Sequence, residues 1–234
     1  MRQIVLDTET TGLEPAKGHR VIEIGLVEVE NRRRTGNHFH CYLNPGRDSD
    51  PEALRKHGLT SEFLADKPDF SAKAEEFLEF VKDAELIIHN AAFDMGFLDH
   101  ELKRLKKPTL TSLCPHIIDT LMVARELHPG KRNTLDALCE RYGIDNSKRT
   151  FHGALLDAEL LGDVYLAMTR GQENLLMEED APNPQTIGEG VTLSLRPGKS
   201  LKIVYANVDE LEQHMQQLES IDKASKGQCL WNHQ

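Results

Sequence analysis

The stretch Ile4–Leu13, IVLDTETTGL, decides how this chain is read. Ile4, Val5 and Leu6 mark a strand entering a core, and the acids that follow, Asp7 and Glu9, stand one residue apart. Strand side chains alternate faces with a period of two, so a strand running through Glu9 turns both carboxylates the same way. Two like charges side by side near a core are unfavourable unless a cation sits between them or one is protonated. Hard oxygen ligands select Mg²⁺ or Mn²⁺, and Mg²⁺ usually takes one or two carboxylates together with substrate phosphate oxygens. The pair therefore points to phosphoryl chemistry, with two metal ions stabilising the attacking and leaving oxygens of an in-line displacement.

The rest of the chain supplies possible partners for this pair. Residues 3–9, 21–31 and 36–44 read as three strands of an antiparallel meander, with Arg32–Gly36 as the hairpin turn. Helical signals follow over 51–58, PEALRKHG, and over 71–83, where Ser71 is the expected cap and Ala74, Phe77, Leu78 and Val81 share a face. ELIIHN, 85–90, reads as a buried strand leading to an amphipathic helix over 93–105. HIID, 116–119, is a weak strand running into a helix; Asn133 is the expected cap of the next, which Gly143 ends; and 153–169 is a long final helix.

Ligands of open α/β sheets lie beyond the carboxyl ends of the strands. Asp7 and Glu9 end the first strand, Asp94 follows ELIIHN into a helix, and Asp157 lies in the first turns of the final helix, with His152 five residues upstream. Four acids from three segments can thus converge on one cleft. Taken singly, Asp94 also reads as a first-turn helix acid and Asp157 as a surface charge. Asp119 and Asp99 are assigned to such roles, a cap and a helix face. Histidine titrates near neutrality, at about 6.5, so His152 can accept a proton from an attacking water.

The chain has 234 residues, enough for one sizeable domain with a small appendage, and 39% hydrophobic with 28% charged residues is an ordinary globular balance. No apolar run approaches the roughly 20 residues of a membrane helix. The first residues lack the apolar core of a signal peptide, so a cytoplasmic location and no membrane contact are expected. Cys41, Cys114, Cys139 and Cys229 form no C-x-x-C pair, which argues against a structural zinc site or a disulfide framework. The net charge of −10 is unlike a protein that grips nucleic acid alone, so metal ions or a partner must supply much of the attraction. Basic clusters at Arg32–Arg34, Lys103–Lys107, Lys131–Arg132 and Lys148–Arg149 read as solvated faces. Residues 171–199, rich in Pro, Gly, Gln and acids, read as a flexible linker. SLKIVYA and a helix from Val208, with Asn207 and Glu210 as a capping box, form a βα unit too small for its own core.

The set Asp7-x-Glu9, Asp94 and His152-x4-Asp157 resembles the DEDDh 3′→5′ exonucleases. QIVLDTETTG, VIEIG, PEALRKHG, ELIIHNAAFD, PGKRNTLDALC, YGIDNSKRTFHGALLDA and the terminal CLW are similar to the proofreading epsilon-subunit family of bacterial DNA polymerase III. The resemblance implies an α/β fold: a ribonuclease H-like mixed five-stranded sheet flanked by helices over 1–170. The linker 171–199 and a small polymerase-binding segment over 200–234 would follow. It implies Asp7, Glu9 and Asp157 as direct metal ligands for two divalent ions, Mg²⁺ or Mn²⁺, Asp94 as the remaining acid acting through water, and His152 as general base. Glu52, His57, Thr10 and Gly12 would contact the terminal nucleotide at a DNA 3′ end. Gln172, Leu175 and Met177 in QENLLM match a sliding-clamp motif, weakened because it ends in Met. The polymerase III alpha subunit would hold the C-terminal segment, and a theta-like accessory subunit is expected on the exonuclease domain. The activity expected is removal of mispaired 3′-terminal nucleotides as nucleoside 5′-monophosphates. The alternatives are an RNA 3′→5′ exonuclease of the ribonuclease T or oligoribonuclease type, against which the linker and tail speak, and a non-enzymatic module on the same fold, against which all five site residues speak.

Overall fold

The computed structural model describes residues 2–147, 149, 151–170 and 207–224. Five strands form one mixed sheet in the order β3-β2-β1-β4-β5, comprising β1 (Arg2–Thr10), β2 (Val21–Glu30), β3 (Arg33–Tyr42), β4 (Glu85–Ile88) and β5 (Ile117–Asp119). β1, β2 and β3 are the expected antiparallel meander, while β4 runs parallel to β1 and β5 parallel to β4. The helices are α1 (Pro51–His57), α2 (Ser61–Leu64), α3 (Phe70–Val81), α4 (Ala91–Arg104), α5 (Leu110–Leu113), α6 (Thr120–Leu127), α7 (Leu135–Tyr142) and α8 (Ala154–Met168), with a short 3₁₀ turn at Pro15–Lys17.

The period-two alternation of β1 sorts its residues between two layers. Ile4 and Leu6 pack with Ile24, Leu26, Leu86 and Ile88 against Phe77, Val81, Phe97 and Leu102 of α3 and α4. Val5 faces the other way and packs with Val27, Val29 and Ile87 against Ala158, Leu161 and Tyr165 of α8. The same alternation carries Asp7 and Glu9 on to the α8 side and Thr8 to the α4 side. β1 also outruns its parallel neighbour: the last β4 pairing is Leu6↔Ile88, so Asp7 to Thr10 have only β2 beside them. A notch opens there, and a register shift between Glu9 and Thr10 bends the strand out of the sheet.

α8 is seated on this notch by one glycine. Gly25 pairs with Asp7, and a Cβ built on it would lie 2.3 Å from the backbone of Ala154 and Leu155. Only a residue without a side chain lets the first turn of α8 approach β2 so closely. On the other side, α4 starts from Asn90 in a left-handed conformation (φ 65°), which Asn tolerates better than most residues. Asp119 fixes that start by accepting from Asn90 N (3.1 Å) and Ala91 N (3.1 Å), and it caps α6 through Leu121 N (2.9 Å).

Several local expectations are corrected. The β2–β3 turn is Asn31-Arg32, both with positive φ (49° and 60°) and closed by the pair Glu30↔Arg33; Arg33 to Gly36 belong to β3. The α3 cap is Asp69, accepting from Ala72 N (3.1 Å), while Ser71 donates to that carboxylate. The α7 cap is Thr134, accepting from Ala137 N (3.4 Å); Asn133 instead accepts from Arg141. Asp99 is not a mere helix face, because it accepts from Leu110 N (2.7 Å) and fixes the start of α5. Cys41, Cys114 and Cys139 are buried free thiols, as expected of idle ones.

The chain divides into two units at Ala181–Pro182, and in the second the described part is helix α9 (Val208–Ala224). Its capping box forms as expected: Asn207 N donates to Glu210 Oε2 and Glu210 N to Asn207 Oδ1, both at 2.9 Å. Val208, Leu211, Met215 and Ile221 are exposed on it. The clamp motif at 172–177, the strand expected over 200–206 and the terminal CLW lie outside the described residues. No helix among the described residues is long and apolar enough to cross a membrane.

Gly25→Ala is expected to lower the unfolding free energy by about 1–3 kcal/mol, because the new methyl has nowhere to go. Urea denaturation measures it, and an unchanged midpoint would show that α8 is not seated on the glycine.

Candidate active site

The notch is the floor of a cleft of about 1120 Å³. Asp7, Thr8, Glu9, Thr10, Gly12 and Leu13 come from β1 and its exit, while one wall is α1 with Glu52 and His57. The other wall is α6, the start of α7 and the loop between them, and Arg149, His152 and Asp157 close the cleft from the α8 side. Every site residue expected in the described part of the chain therefore lies in one place.

Ligand atoms of Glu9, His152 and Asp157 lie within 4.8 Å of one another. Asp94 stands slightly apart on the α4 side, where Thr8 Oγ1 donates to its Oδ1 at 2.6 Å. That contact follows from the strand alternation that separates Thr8 from Asp7 and Glu9. Asp7 feels the charges of both groups, those of Asp94 and of Glu9 and Asp157.

The electrostatics match the liability read from IVLDTETTGL. Burial, then the charges of Asp94, Glu9 and Asp157, push the Asp7 carboxyl well above its usual range. Burial, with Asp157 and Glu23 beside it, pushes Glu9 up to about 8. Burial raises Asp94 to about 7 against the opposing hydrogen bond from Thr8. Glu23, the cross-strand partner of Glu9, adds to the load, although His40 Nε2 contacts its carboxylate at 2.7 Å.

Arg149 is the residue that sequence reasoning missed. It read as half of a solvated Lys-Arg pair, yet its side chain is only 7% exposed. Its guanidinium reaches Asp157 Oδ2 (2.5 Å), His152 Nδ1 (2.7 Å) and Asp136. Asp157 thereby has one oxygen held by Arg149, whereas Oδ1 is buried with no hydrogen-bond partner. A buried carboxylate oxygen without a partner is costly, so it needs a ligand. His152 is further located by its backbone, whose N–H donates to Lys56 O at 3.0 Å.

The nucleotide-contact residues separate. His57 is buried; Nδ1 accepts from Leu59 N (2.9 Å), so the ring's proton sits on Nε2, which meets no partner among the described residues. Burial pushes its pKa down, favouring the neutral ring. Glu52 is exposed and lies 3.8 Å from Arg55. Thr10 Oγ1 donates to Gly12 O (2.7 Å), and Gly12 lies so close to the His19 ring that a Cβ would be 2.3 Å away. This fixes the chain just before Leu13, which is 69% exposed on the lip of the cleft.

A carboxylate cluster with a histidine, at the end of the central strand of a mixed sheet, defines a metal-assisted nuclease of the ribonuclease H-like kind. The family profile described as Exonuclease matches residues 4–165. The solved structure of exonuclease X with 5′-overhanging duplex DNA aligns with 73% of this chain and 93% of its own at a TM-score of 0.56 and 24% identity, a likeness of fold. DNA polymerase III subunit epsilon of Pasteurella multocida is 51% identical over 98% of this chain and 93% of its own length. That of Escherichia coli is 51% identical over 98% and 97%. The chain belongs to the DNA polymerase III epsilon-subunit family of exonucleases. This family works with divalent metal ions, and the uncompensated acids and orphaned Asp157 Oδ1 fit such an ion.

In chelator, folded Glu9 and Asp94 keep protons up to about 8 and about 7, while the unfolded chain releases them near 4.5 and 3.8. The folded state then binds more protons across that window, so its stability falls as pH rises through it. A thermal melt should show the midpoint dropping between about pH 5 and pH 8 and recovering at pH 8, not at pH 5, on adding Mg²⁺ or Mn²⁺. A flat profile would mean that the cluster carries no uncompensated charge.

Proposed function

We propose that this chain is the proofreading 3′→5′ DNA exonuclease of a bacterial replicative polymerase III, working in the cytoplasm and hydrolysing the 3′-terminal phosphodiester to release nucleoside 5′-monophosphates. The observation that carries this reading is Asp157, with Oδ2 on Arg149 and Oδ1 unpartnered beside Glu9 and His152, in a chain of the epsilon family.

Asp7, Glu9 and Asp157 would hold two divalent ions, Mg²⁺ or Mn²⁺, with Asp94 contributing through water. Such ions, when bound, polarise the scissile phosphate and the attacking water. The chain's own groups do the rest. His152 takes the water's proton, and because Nδ1 now accepts from Arg149, the guanidinium must first turn to Asp157 and Asp136, which it already touches. His57 offers Nε2–H, and Glu52, Thr10 and the Gly12 backbone line the place of the terminal nucleotide. A mismatch lowers the cost of fraying the 3′ end into the cleft, which favours mismatched ends. The RNA-exonuclease alternative is not favoured, given epsilon relatives matched over nearly their whole length.

Asp7→Ala and His152→Ala should each nearly abolish digestion of a mismatched primer in Mg²⁺ or Mn²⁺, and chelator should abolish it for the unaltered chain; an RNA strand run alongside should be degraded more slowly. Wild-type rates in either variant would sink the assignment.

The partners follow the same reading. Residues 1–170 would form the exonuclease domain and 171–199 a linker, with Gln172, Leu175 and Met177 weakly engaging a sliding clamp and a theta-like subunit on the domain. Residues 200–234 would bind the polymerase alpha subunit. The exposed Val208, Leu211, Met215 and Ile221 at helical spacing on α9 support a docking role. Tethering would raise the exonuclease's effective concentration at the primer end. Deleting 200–234 should abolish co-purification with the alpha subunit while short single strands are still digested; a truncated chain that co-purifies would refute the docking role.

A further inference from the structure

One wall of the cleft carries three cations that the chemistry above does not use: Arg125 at the end of α6, and Lys131 and Arg132 in the loop between α6 and α7. All three line the cleft and are exposed. None is ion-paired with a carboxylate among the described residues, whereas Arg149 meets Asp136 and Asp157 and Arg55 meets Glu52. Three such cations on one wall, in a chain of net charge −10, run against the overall electrostatics. The acids of the same elements do not cancel them. Asp136 is engaged by Arg149 and by Asn146 (3.2 Å), and Glu126 and Glu140 do not line the cleft.

The loop is built rather than slack. Arg141 of α7 donates to Arg132 O (2.8 Å) and to the buried Asn133 Oδ1 (3.0 Å). Asn133 Nδ2 and Lys131 N both donate to His128 O, at 3.4 and 3.2 Å. Gly130 makes the turn at φ 71°. Fixing the backbone removes most of the ordering cost of a ligand contact, leaving only the long side chains to settle. Arg suits a phosphate bidentately and Lys as a point charge.

We propose that Arg125, Lys131 and Arg132 form a phosphate track for the DNA strand whose 3′ end lies in the cleft, binding the phosphodiesters 5′ to the scissile one. The proposal rests on the exonuclease reading. The opposite wall takes the terminal nucleoside, and the acidic floor repels any phosphate not shared with a metal ion, so the upstream backbone runs along the basic wall.

The test compares the full chain with Arg125→Gln/Lys131→Gln/Arg132→Gln, and with Lys82→Gln/Lys103→Gln/Arg104→Gln, which removes equal charge elsewhere. Binding is measured by fluorescence anisotropy with Ca²⁺ replacing Mg²⁺, using a labelled eight-nucleotide oligothymidylate, and by competition with thymidine 5′-monophosphate, which has no upstream phosphate. The track variant should bind the oligonucleotide roughly tenfold more weakly at about 0.1 M salt, with a log–log salt slope flatter by about 2. It should bind the mononucleotide as the unaltered chain does, and the control variant should match the unaltered chain on both. Unchanged oligonucleotide affinity, an equal loss for oligonucleotide and mononucleotide, or the same loss in the control overturns the track. Cleavage by the unaltered chain in Mg²⁺ is scored separately: its absence would overturn the exonuclease reading while the binding comparison still judges the track.

Discussion

The structure depends on mutual repulsion among carboxylates that the fold forces together. β1 is the central strand, and it carries Asp7 and Glu9 past the end of β4 into a notch. α8 brings Asp157 to one side and α4 brings Asp94 to the other. Taking several carboxylates partly out of water is expensive, and raised pKa values are how that cost shows itself. The large apolar layers on both faces of the sheet hold the cluster against that repulsion. A divalent cation bound among them would offset that cost, so the region the fold stabilises least is the one suited to hold a metal ion.

The supporting shell is organised around that constraint. Arg149 offsets part of the charge and occupies one oxygen of Asp157, which leaves Oδ1 buried and without a hydrogen-bond partner. Thr8, on the face of β1 opposite to Asp7 and Glu9, donates to Asp94 and helps to fix it. Asp119, some way from the cluster, fixes the start of α4 and so decides where Asp94 stands. Partners that hold carboxylates in place are what a site suited to a metal ion requires, and Arg149, Thr8 and Asp119 come from three separate parts of the chain.

Much of this was legible in the sequence, for a physical reason. Strand alternation makes D-x-E a same-face pair whatever the rest of the chain does, and the five polar site residues follow or begin elements with strong local signals. The capping box of Asn207 and Glu210 was equally local and formed as read. What failed to show depended on distant contacts. An arginine in a left-handed turn is locally unfavourable, so the Asn31-Arg32 turn was placed too late; Arg32 is stabilised by α8, more than a hundred residues away. Asn133 and Thr134 are both good caps, and the Asn133 side chain is taken instead by Arg141 and by His128 O. Arg149 looked like surface because burial is a property of the assembled fold.

The contact between Arg32 and α8 has a mechanical meaning. Arg32 donates to Leu166 O (2.9 Å) and Thr169 Oγ1 (2.8 Å), clamping the last turn of α8 to the β2–β3 hairpin. Asp157 sits in the first turn of the same helix, about 14 Å from Leu166 along its axis at about 1.5 Å per residue. The two ends of α8 are therefore located by different partners, the last turn by the hairpin through Arg32 and the first turn by Gly25 of β2, so the helix that carries Asp157 is fixed in both position and tilt.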